Sequence, residues 1–551
     1  MPVINFDHRD LTELMGFDVP MKELLEKIPM MGADLHDFDE ETGEIAMEFF
    51  PSRPDLFSVE GIARALRAFL GKEAGMKLYP TEDSGMVLYR DPSVLEVRPY
   101  VVAGVIRNVV MTDELIKSLM EVQEKLHLTM GRKRAKVSIG IHDLDRVEPP
   151  FKYKAVDPES VSFVPLAKDE EMNLREILER HEKGIDYAFV LEGKEHYPLI
   201  LDRNDEVLSF PPIINGRLTT VTESTENLFI DVTGTDFKAI SGALNIVATS
   251  IAERGAIIQT VKVIAEEEFI TPDLEPRRWE LDADFCRSFL GMNITDEEIV
   301  IALKRMGYDA SVDNGKVKVL VPATRLDILH PVDLAEDVAI GHGYENFGST
   351  LPRVQTFGSL RPIERASDQI KQLMIGYGYM EVTTLMLSNP GEQFAMMSIP
   401  SHEVVEIQNP LGEDYTCMRW HLLPSLFEVV RKNKHRDLPQ RIFEVGDVMV
   451  DLKRTRHLAG LSVHSRVSFT EMKSLTESIL RDISIDHEIR PLSSGMYLGG
   501  RAASVSIEGI EVGHFGEIDP EVISKMELGY PVGAFELDID TMLSTRLGKI
   551  F

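Results

Sequence analysis

The chain has 551 residues and a formal net charge of −32, and its length predicts about three to five domains because single hydrophobic cores stop growing well below it. The acidic excess excludes a broad nucleic-acid-binding surface. Only Cys286 and Cys417 are present, which excludes a disulfide framework and a cysteine-rich zinc site. Without a signal-like N-terminus or an apolar run of membrane-spanning length, we expect a cytoplasmic protein that binds neither membranes nor DNA.

Two local basic patches could still contact RNA. The first is Arg132-Lys133-Arg134 with Lys136, and the second runs from Arg431 to Arg436. Taken alone, each patch is more typical of an ordinary charged loop or helix surface than of an RNA contact.

The first predicted element with clear boundaries is a helix that starts after Ser58 and ends at Gly71. Serine can cap a helix N-terminus and glycine can end a helix. An apolar stripe at helical spacing lies between them and predicts one buried face. A second block of predicted elements follows. It has a strand over 100–106, a helix opened by Thr112 and a strand over 137–141. Segments rich in hydroxyls and acids cover 219–227 and 231–236, and a helix runs from Phe237 to about Arg254.

A third block predicts two helices, a hairpin and a further helix, which resembles a winged-helix arrangement. The helices are a segment over 282–290 and one opened by a capping box, Thr295 with Glu298. Asp313-Asn-Gly315 is a strong hairpin signal.

The last helix of this block carries an acidic cluster. Pro331 suits the first turn of a helix, and the carboxylates of Asp333, Glu336 and Asp337 recur at helical spacing on one face. Together with Asp327 in the preceding loop, they predict a site for a hard cation such as Mg²⁺. The alternative is a solvated acidic face that complements the helix N-terminus.

The fourth block predicts an antiparallel sheet flanked by helices. Its predicted helices span 363–376 and 422–432, and its predicted strands span 381–387, 440–448, 502–507, 512–516 and 532–539.

Read together, the motifs resemble one family over essentially the whole chain, the β subunits of phenylalanyl-tRNA synthetase in their shorter archaeal and eukaryotic-like form. Each motif is short, and their common order carries the resemblance. The matching segments are Ser52-Arg-Pro-Asp-Leu-Phe-Ser58 with Gly61-Ile-Ala-Arg64, the segment from Pro322 to Val338 with Gly343-Tyr-Glu-Asn346, Asn409-Pro-Leu-Gly-Glu-Asp414, Leu423-Pro-Ser-Leu426, Phe443-Glu-Val-Gly446 and Gly516-Glu-Ile-Asp-Pro520.

The resemblance implies a multidomain α+β fold. The expected parts are an N-terminal α/β domain over 1–90, a mixed α/β editing domain over 91–265, a winged-helix-like, Mg²⁺-binding module over 269–347, and a class II synthetase-like antiparallel sheet core over 358–551. Leu537 stands where the family fold would need an arginine to hold ATP phosphates, so we expect this core to be catalytically silent. The segment Arg441-Ile-Phe-Glu444 resembles part of the second synthetase motif (motif 2). Its arginine and glutamate could instead simply pair with each other.

The resemblance also implies partners and site residues. The expected partners are an α subunit that holds the synthetic active site in an α2β2 tetramer, tRNA(Phe), and ATP and L-phenylalanine through the whole enzyme. Editing means hydrolysis of tRNA(Phe) wrongly charged with tyrosine, by a water positioned on the substrate. The predicted editing residues are Leu199, Ser209, Asp231 and Thr233, with His142 and Asp143 as further candidates, and the predicted Mg²⁺ ligands are Asp327, Asp333, Glu336 and Asp337.

Two alternatives belong to other functional classes. The chain could be a tRNA-binding and assembly scaffold without editing activity. It could also be a metal-dependent nuclease that uses the acidic cluster, although no group that could generate a nucleophile and no glycine-rich phosphate loop accompanies that cluster.

Overall fold

A computed structural model describes the backbone of residues 2–313, 315–352, 354 and 356–550, and the side-chain surroundings of the same residues up to 545. The chain divides into two compact units, Met1–Thr350 and Leu351–Phe551. Both units combine helices with sheets, as the α+β fold class predicts.

The N-terminal module has a three-stranded antiparallel sheet in the order β1-β3-β2. The predicted helix is confirmed, because the Ser58 hydroxyl accepts the Gly61 backbone N–H at 3.1 Å. The elements are β1 Val3–Asp7, α1 His8–Met15, α2 Met21–Met30, β2 Ala33–Phe38, β3 Glu44–Phe49 and α3 Val59–Phe69.

A ten-stranded sheet forms the second module. Its elements are β4 Thr81–Arg90, β5 Tyr100–Arg107, α4 Asp113–Leu128, β6 Val137–Asp143, β7 Phe151–Val156, β8 Ser162–Phe163, β9 Met172–Asn173, α5 Leu174–Arg180, α6 Glu182–Tyr187, β10 Tyr197–Leu201, β11 Val207–Phe210, β12 Ile214–Asn215, β13 Leu228–Gly234, α7 Phe237–Ala252, β14 Ile257–Ile264 and β15 Glu268–Thr271. The strand order is β12-β11-β10-β7-β4-β14-β5-β13-β6, with β15 on β14, while β8 and β9 pair separately. The sheet therefore includes β4, which precedes residue 91.

Helix α7 joins the first two modules. Most of its length is buried, and Arg254, just beyond its end, binds both oxygens of Asp10 at 2.8 and 2.9 Å and Glu60 Oε1 at 2.7 Å. Because Asp10 and Glu60 belong to α1 and α3, one arginine connects three helices.

The third module has a three-stranded sheet, β16-β18-β17, covered by helices. Both bonds of the predicted capping box at Thr295 and Glu298 are present, and Asp313 pairs with Lys316 in the predicted hairpin, whose Asn314 lies outside the described residues. The elements are β16 Arg277–Asp282, α8 Ala283–Leu290, α9 Asp296–Arg305, β17 Asp309–Asp313, β18 Lys316–Val321 and α10 Pro331–His342.

Gly341 allows α9 and α10 to approach closely. A Cβ at this position would overlap the carbonyl oxygen of Ala302 and lie 3.0 Å from its Cα. We expect Gly341→Ala to lower the free energy of unfolding by about 1–3 kcal/mol, since backbone atoms must move apart. Chemical denaturation measures this, with Gly376→Ala as the control, because a Cβ there meets no atom within 4 Å. Equal effects of the two substitutions would contradict the packing argument.

The second unit is built on a seven-stranded sheet in the order β19-β22-β23-β27-β26-β25-β24. Its strands alternate between two apolar clusters: Ala534 packs with α12 and α14, whereas its neighbour Phe535 packs with α11, α13 and α15. The elements are α11 Pro362–Gly376, β19 Met380–Glu381, β20 Leu387–Ser388, β21 Cys417–Met418, α12 Leu423–Lys432, β22 Gln440–Val450, β23 Lys453–Val463, α13 Phe469–Asp482, β24 Glu488–Pro491, β25 Tyr497–Ile507, β26 Ile510–Ile518, α14 Pro520–Lys525, β27 Val532–Asp538 and α15 Ile539–Ile550.

The predicted strand over 381–387 is wrong as a continuous element. Only Met380–Glu381 pairs with β22, and Leu387–Ser388 pairs with β21 in a separate small sheet. Between them Thr384 donates its hydroxyl to Glu444 Oε2 at 2.6 Å. This contact with the neighbouring strand is made by a side chain, where a continuous strand would use its backbone.

The cysteines and the helix lengths relate to expectations drawn from composition. Cys286 and Cys417 are both buried free thiols. Among the described residues, no helix is both long enough and apolar enough to cross a membrane.

Candidate functional site

The second module contains a cavity of about 470 Å³. Its walls include α4, β6, the strands β11 and β12, and the turn between α4 and β6. Two predicted editing residues line it, Ser209 on β11 and Asp231 on β13. The volume falls within the range of roughly 300–1,000 Å³ that is typical of small-molecule pockets.

Asp231 is fixed in place by a chain of hydrogen bonds. Its Oδ1 lies 2.7 Å from Nε2 of His142, and Nδ1 of the same ring lies 2.7 Å from the hydroxyl of Thr219. All three side chains are buried. In a neutral ring, Nε2–H donates to the carboxylate and Nδ1 accepts the threonine hydroxyl proton, so each group has a defined role.

Gly140 makes room for this arrangement. It lies directly opposite Asp231 in the pairing of β6 with β13. A Cβ at Gly140 would overlap the Asp231 carboxylate and lie 2.7 Å from His142 Nε2. The absence of a side chain on the neighbouring strand is therefore a condition for the bond between Asp231 and His142.

Ser209 brings a buried hydroxyl to the same cavity. The residue is 2% exposed, and its Oγ has no hydrogen-bond partner among the described residues. A buried hydroxyl without a partner is unfavourable, and a polar group of a ligand could satisfy it.

The other two predicted editing residues, Thr233 and Leu199, do not line the cavity. The Thr233 hydroxyl accepts the Nε–H of Arg98 at 2.9 Å, and Arg98 also donates to the Thr233 carbonyl oxygen at 2.7 Å. Burial lowers the pKa of the Arg98 guanidinium to about 10. Leu199 is fully buried in an apolar cluster on β10. The further candidate Asp143 holds a turn, accepting the Asp145 N–H and the Thr225 hydroxyl.

Several polar side chains that line the cavity were not predicted from the sequence, namely Gln123, His127, Ser138 and Asn215. His127 accepts the Ile139 N–H at its Nε2 at 2.8 Å. Burial lowers the pKa of its ring to about 4, so the ring is neutral near pH 7. The available signal was the spacing of Gln123 and His127, which are four residues apart on α4 and therefore share one face.

A larger cavity of about 800 Å³ lies elsewhere in the first unit. Its lining includes two arginines that already have partners: the buried Arg53 binds Asp55 through two hydrogen bonds, and the partly buried Arg64 binds the hydroxyls of Tyr79 and Thr249. These two arginines are therefore already engaged by side chains of the same unit.

In the third module an arginine neutralises part of the acidic cluster. Arg325 is 3% exposed and binds Asp327 through two hydrogen bonds of 2.9 and 2.7 Å, and Asp337 through one of 2.5 Å. Tyr308 also donates its hydroxyl to Asp337. Burial opposes the charge on Arg325, but Asp337, Tyr308 and Asp327 together hold its pKa well above the usual value.

The remaining two acids differ in their surroundings. Asp333 accepts the N–H groups of Leu329 and His330 at 2.7 Å each, which caps α10. Glu336 is exposed, and its pKa is raised by partial desolvation and then by the like charges of the other three acids. Among the described residues, no three acidic, histidine or cysteine side chains converge on one point as metal ligands. In this geometry the four predicted acids do not fit a Mg²⁺ ion by themselves, because both oxygens of Asp327 are bound to Arg325.

In the second unit, Glu536 on β27 is a buried helix cap. Its Oε1 accepts the N–H of Leu422 at 3.0 Å and lies 2.8 Å from His457 Nδ1, and its Oε2 accepts the N–H of Leu423 at 3.2 Å. Burial would raise the pKa of this carboxyl, but His421 and His457 hold it well below the usual value. The next residue, Leu537, is fully buried in an apolar cluster.

Arg441 and Glu444, the two charged residues of the segment that resembles synthetase motif 2, do not pair with each other. Arg441 lies 3.9 Å from Glu471, and Glu444 binds Arg419 at 2.9 Å. Both charges therefore have other partners in the unit.

Comparison with known families now identifies the parts of the chain. Residues 348–539 match the model of the phenylalanyl tRNA synthetase beta chain CLM domain, residues 279–344 that of the tRNA synthetase B5 domain, and residues 106–263 that of the B3/4 domain. The fold and these matches define a subunit of an aminoacyl-tRNA synthetase.

The relatives are more specific. The phenylalanine–tRNA ligase beta subunit of Methanothrix thermoacetophila is 45% identical over 98% of this chain and its own full length, and that of Archaeoglobus fulgidus is 44% identical over 99% of each chain. A crystal structure of an N-terminal fragment of the Pyrococcus horikoshii phenylalanyl-tRNA synthetase beta subunit matches with a TM-score of 0.61 and 38% identity, covering 62% of this chain and all of the fragment. The chain belongs to the family of phenylalanine–tRNA ligase β subunits.

Proposed function

We propose that this chain works with an α subunit, as half of an α2β2 tetramer in the cytoplasm, to attach L-phenylalanine to tRNA(Phe) with ATP. We further propose that its second module hydrolyses tRNA(Phe) charged with tyrosine. Membership of the β-subunit family supports the first part, and the match to the B3/4 domain over the cavity supports the second.

The observation that carries the editing proposal is the pairing of a fixed carboxylate with an unpartnered hydroxyl in one cavity. Asp231 is held by His142, and Ser209 has a hydroxyl without a protein partner among the described residues. Tyrosine differs from phenylalanine by one phenolic hydroxyl, and a site that hydrogen-bonds a hydroxyl can reject the analogue that lacks it. We assign substrate binding to Ser209 and Asp231, and a water positioned on the substrate supplies the nucleophile.

Thr233 and Leu199, which do not line the cavity, act indirectly in this proposal. Thr233 shares β13 with Asp231 and holds Arg98, so it stabilises the strand that carries the carboxylate. Leu199 shares the sheet with Ser209, since its neighbour Ile200 pairs with Ser209. Both residues are therefore proposed as positioning residues.

The direct test uses the purified α–β enzyme with Tyr-tRNA(Phe), Phe-tRNA(Phe) and buffer alone. We expect rapid release of tyrosine and slow release of phenylalanine. Tyrosine release no faster than in buffer would favour the alternative, a tRNA-binding scaffold without editing activity. A double variant, Asp231→Ala with Thr233→Val, should fall to the buffer rate.

The synthetic active site is proposed to lie on the α subunit. The buried Leu537 and the use of Glu536 as a helix cap support this, because neither side chain can neutralise a triphosphate. Expressed alone, the chain should show no phenylalanine-dependent exchange between ATP and pyrophosphate, and activity should appear when the α subunit is added. Exchange without the α subunit would refute the assignment.

Mg²⁺ remains a proposed ligand of the acidic helix. Glu336 is exposed, and the hydrogen bonds to Asp333 and Asp337 each engage one carboxylate oxygen, Oδ2. Since Arg325 binds both oxygens of Asp327, a partner chain or solvent would have to complete the coordination. Calorimetric titration with Mg²⁺ should show binding that Glu336→Gln weakens, and no heat with the wild type would dispose of the site. A nuclease role would require Mg²⁺-dependent cleavage of nucleic acid by the isolated chain.

A further inference from the structure

We propose that residues 131–136, the basic turn, bind the phosphates of a single-stranded RNA 3′ end whose terminal ester enters the neighbouring cavity. Arg132 and Lys133 make the contacts. The inference rests on the proposed editing function and adds the surface that holds its RNA substrate.

The position of the basic turn is fixed by Arg134. This residue lines the cavity, its Nη1 donates to the carbonyl oxygen of Ile213 at 2.9 Å, and its guanidinium lies 4.1 Å from the centre of the Tyr187 ring. Arg132 and Lys133 precede it directly, so they lie at the edge of the cavity that holds Asp231.

The backbone of the turn is unusual for the residues it carries. Arg132, Lys133 and Arg134 have φ angles of 47°, 54° and 66°, three consecutive left-handed conformations in residues that have a Cβ. Such angles favour glycine or asparagine. Backbone preference therefore does not select these three cations, and we attribute their presence to the charge of their side chains.

The two leading cations are also available for a ligand. Arg132 and Lys133 are exposed and form no ion pair among the described residues. Their neighbours differ, since Arg134 lies 3.6 Å from Glu124 and Lys136 lies 3.0 Å from Asp236.

The second basic patch of the sequence has the opposite character. Three of its four lysines and arginines pair with acids: Arg431 with Glu392 at 3.2 Å, Lys432 with Glu428 at 2.6 Å, and Lys434 with Glu527 at 3.4 Å. Most of the charge of this patch is therefore compensated locally, whereas the basic turn presents two adjacent cations, Arg132 and Lys133, that form no ion pair among the described residues.

The chemistry of the proposed substrate fits this placement. When the aminoacyl group of a charged tRNA occupies the cavity, the phosphodiester chain must continue outside it. The chain as a whole carries a formal charge of −32 and repels a polyanion. Cations at the cavity edge would lower that local repulsion and release counterions from the RNA.

The test compares the wild-type α–β enzyme with the double variant Arg132→Ala, Lys133→Ala. For Tyr-tRNA(Phe) we expect kcat/KM to fall about tenfold at moderate salt, and the plot of its logarithm against the logarithm of salt concentration to become less steep by about 1.4, since each single-strand phosphate contact contributes roughly 0.7. Hydrolysis of 3′-O-tyrosyl-adenosine, an ester without a phosphate, should be unchanged.

The matched control is Arg9→Ala, Lys22→Ala, which removes the same two charges from exposed positions in the N-terminal module and should leave the salt slope unchanged. A wild-type slope in the basic-turn variant, or equal losses for both esters, would overturn the inference. If the wild type hydrolyses neither ester, the editing proposal fails. In that case fluorescence anisotropy of a labelled RNA 3′-end oligonucleotide tests the basic turn separately. Weaker binding by the basic-turn variant than by the wild type would support the inference, and equal binding would overturn it.

Discussion

Asp231→Asn is expected to lower kcat/KM for Tyr-tRNA(Phe) hydrolysis by about 10- to 100-fold, because a hydrogen bond between the substrate and a charged group contributes about 1.5–3 kcal/mol. The carboxylate lines the cavity and is held by His142 through one oxygen. Asparagine keeps the shape of the side chain but removes its charge, and it can turn an N–H group towards the histidine. Initial rates of tyrosine release at several substrate concentrations measure the effect.

The control for this prediction is Asp202→Asn. Asp202 is also a buried aspartate of the second module, but it accepts the N–H groups of Asn204 and Glu206 in a turn and is not part of the cavity wall. We expect it to retain editing. If the Asp231→Asn enzyme kept a kcat/KM within twofold of the wild-type value, Asp231 would not be part of the editing site.

The second large effect is expected on stability. Arg325→Met should lower the free energy of unfolding by about 3–5 kcal/mol, because it leaves the buried Asp337 and the largely buried Asp327 without their cation. Denaturant unfolding of the full chain measures this, and the transition of the first unit should shift.

A matched control lies in the same module. Arg287 also binds two aspartates, Asp284 at 2.7 Å and Asp296 at 2.8 Å, but it is partly exposed, so Arg287→Met should have a much smaller effect. Adding Asp327→Asn and Asp337→Leu to Arg325→Met should restore most of the lost stability, since an apolar replacement of a whole buried network is often close to neutral. Equal losses in the two arginine variants would contradict the argument from burial.

Local signals in the sequence were sufficient for the capped helices that follow Ser58 and Thr295 and for the hairpin at Asp313. Ser58 and Thr295 cap helices through bonds that span three residues, and such contacts depend on little beyond their own segment. The strand predicted over 381–387 failed because the side chain of Thr384 bonds to Glu444, which is sixty residues distant in sequence. Propensity within one segment cannot reveal such a competitor.

The candidate site was predictable only in part for the same reason. The resemblance to a family pointed to Ser209 and Asp231, and both line the cavity. The partner of Asp231, His142, depends on the register of β6 against β13 and on the open space at Gly140. Likewise, the spacing of the acids in and before α10 gave no sign that Arg325 binds Asp327 and Asp337.

The helix cap at Glu536 has an electrostatic consequence for the second unit. The N-terminus of a helix attracts anions through its free N–H groups, and in α12 those of Leu422 and Leu423 already bind a carboxylate of the same chain. An incoming phosphate would have to compete with an anion that is covalently tethered, buried and ionised over the neutral pH range. The unit thus carries its own permanent competitor at this helix end, and restoring a single arginine would not create a nucleotide site there.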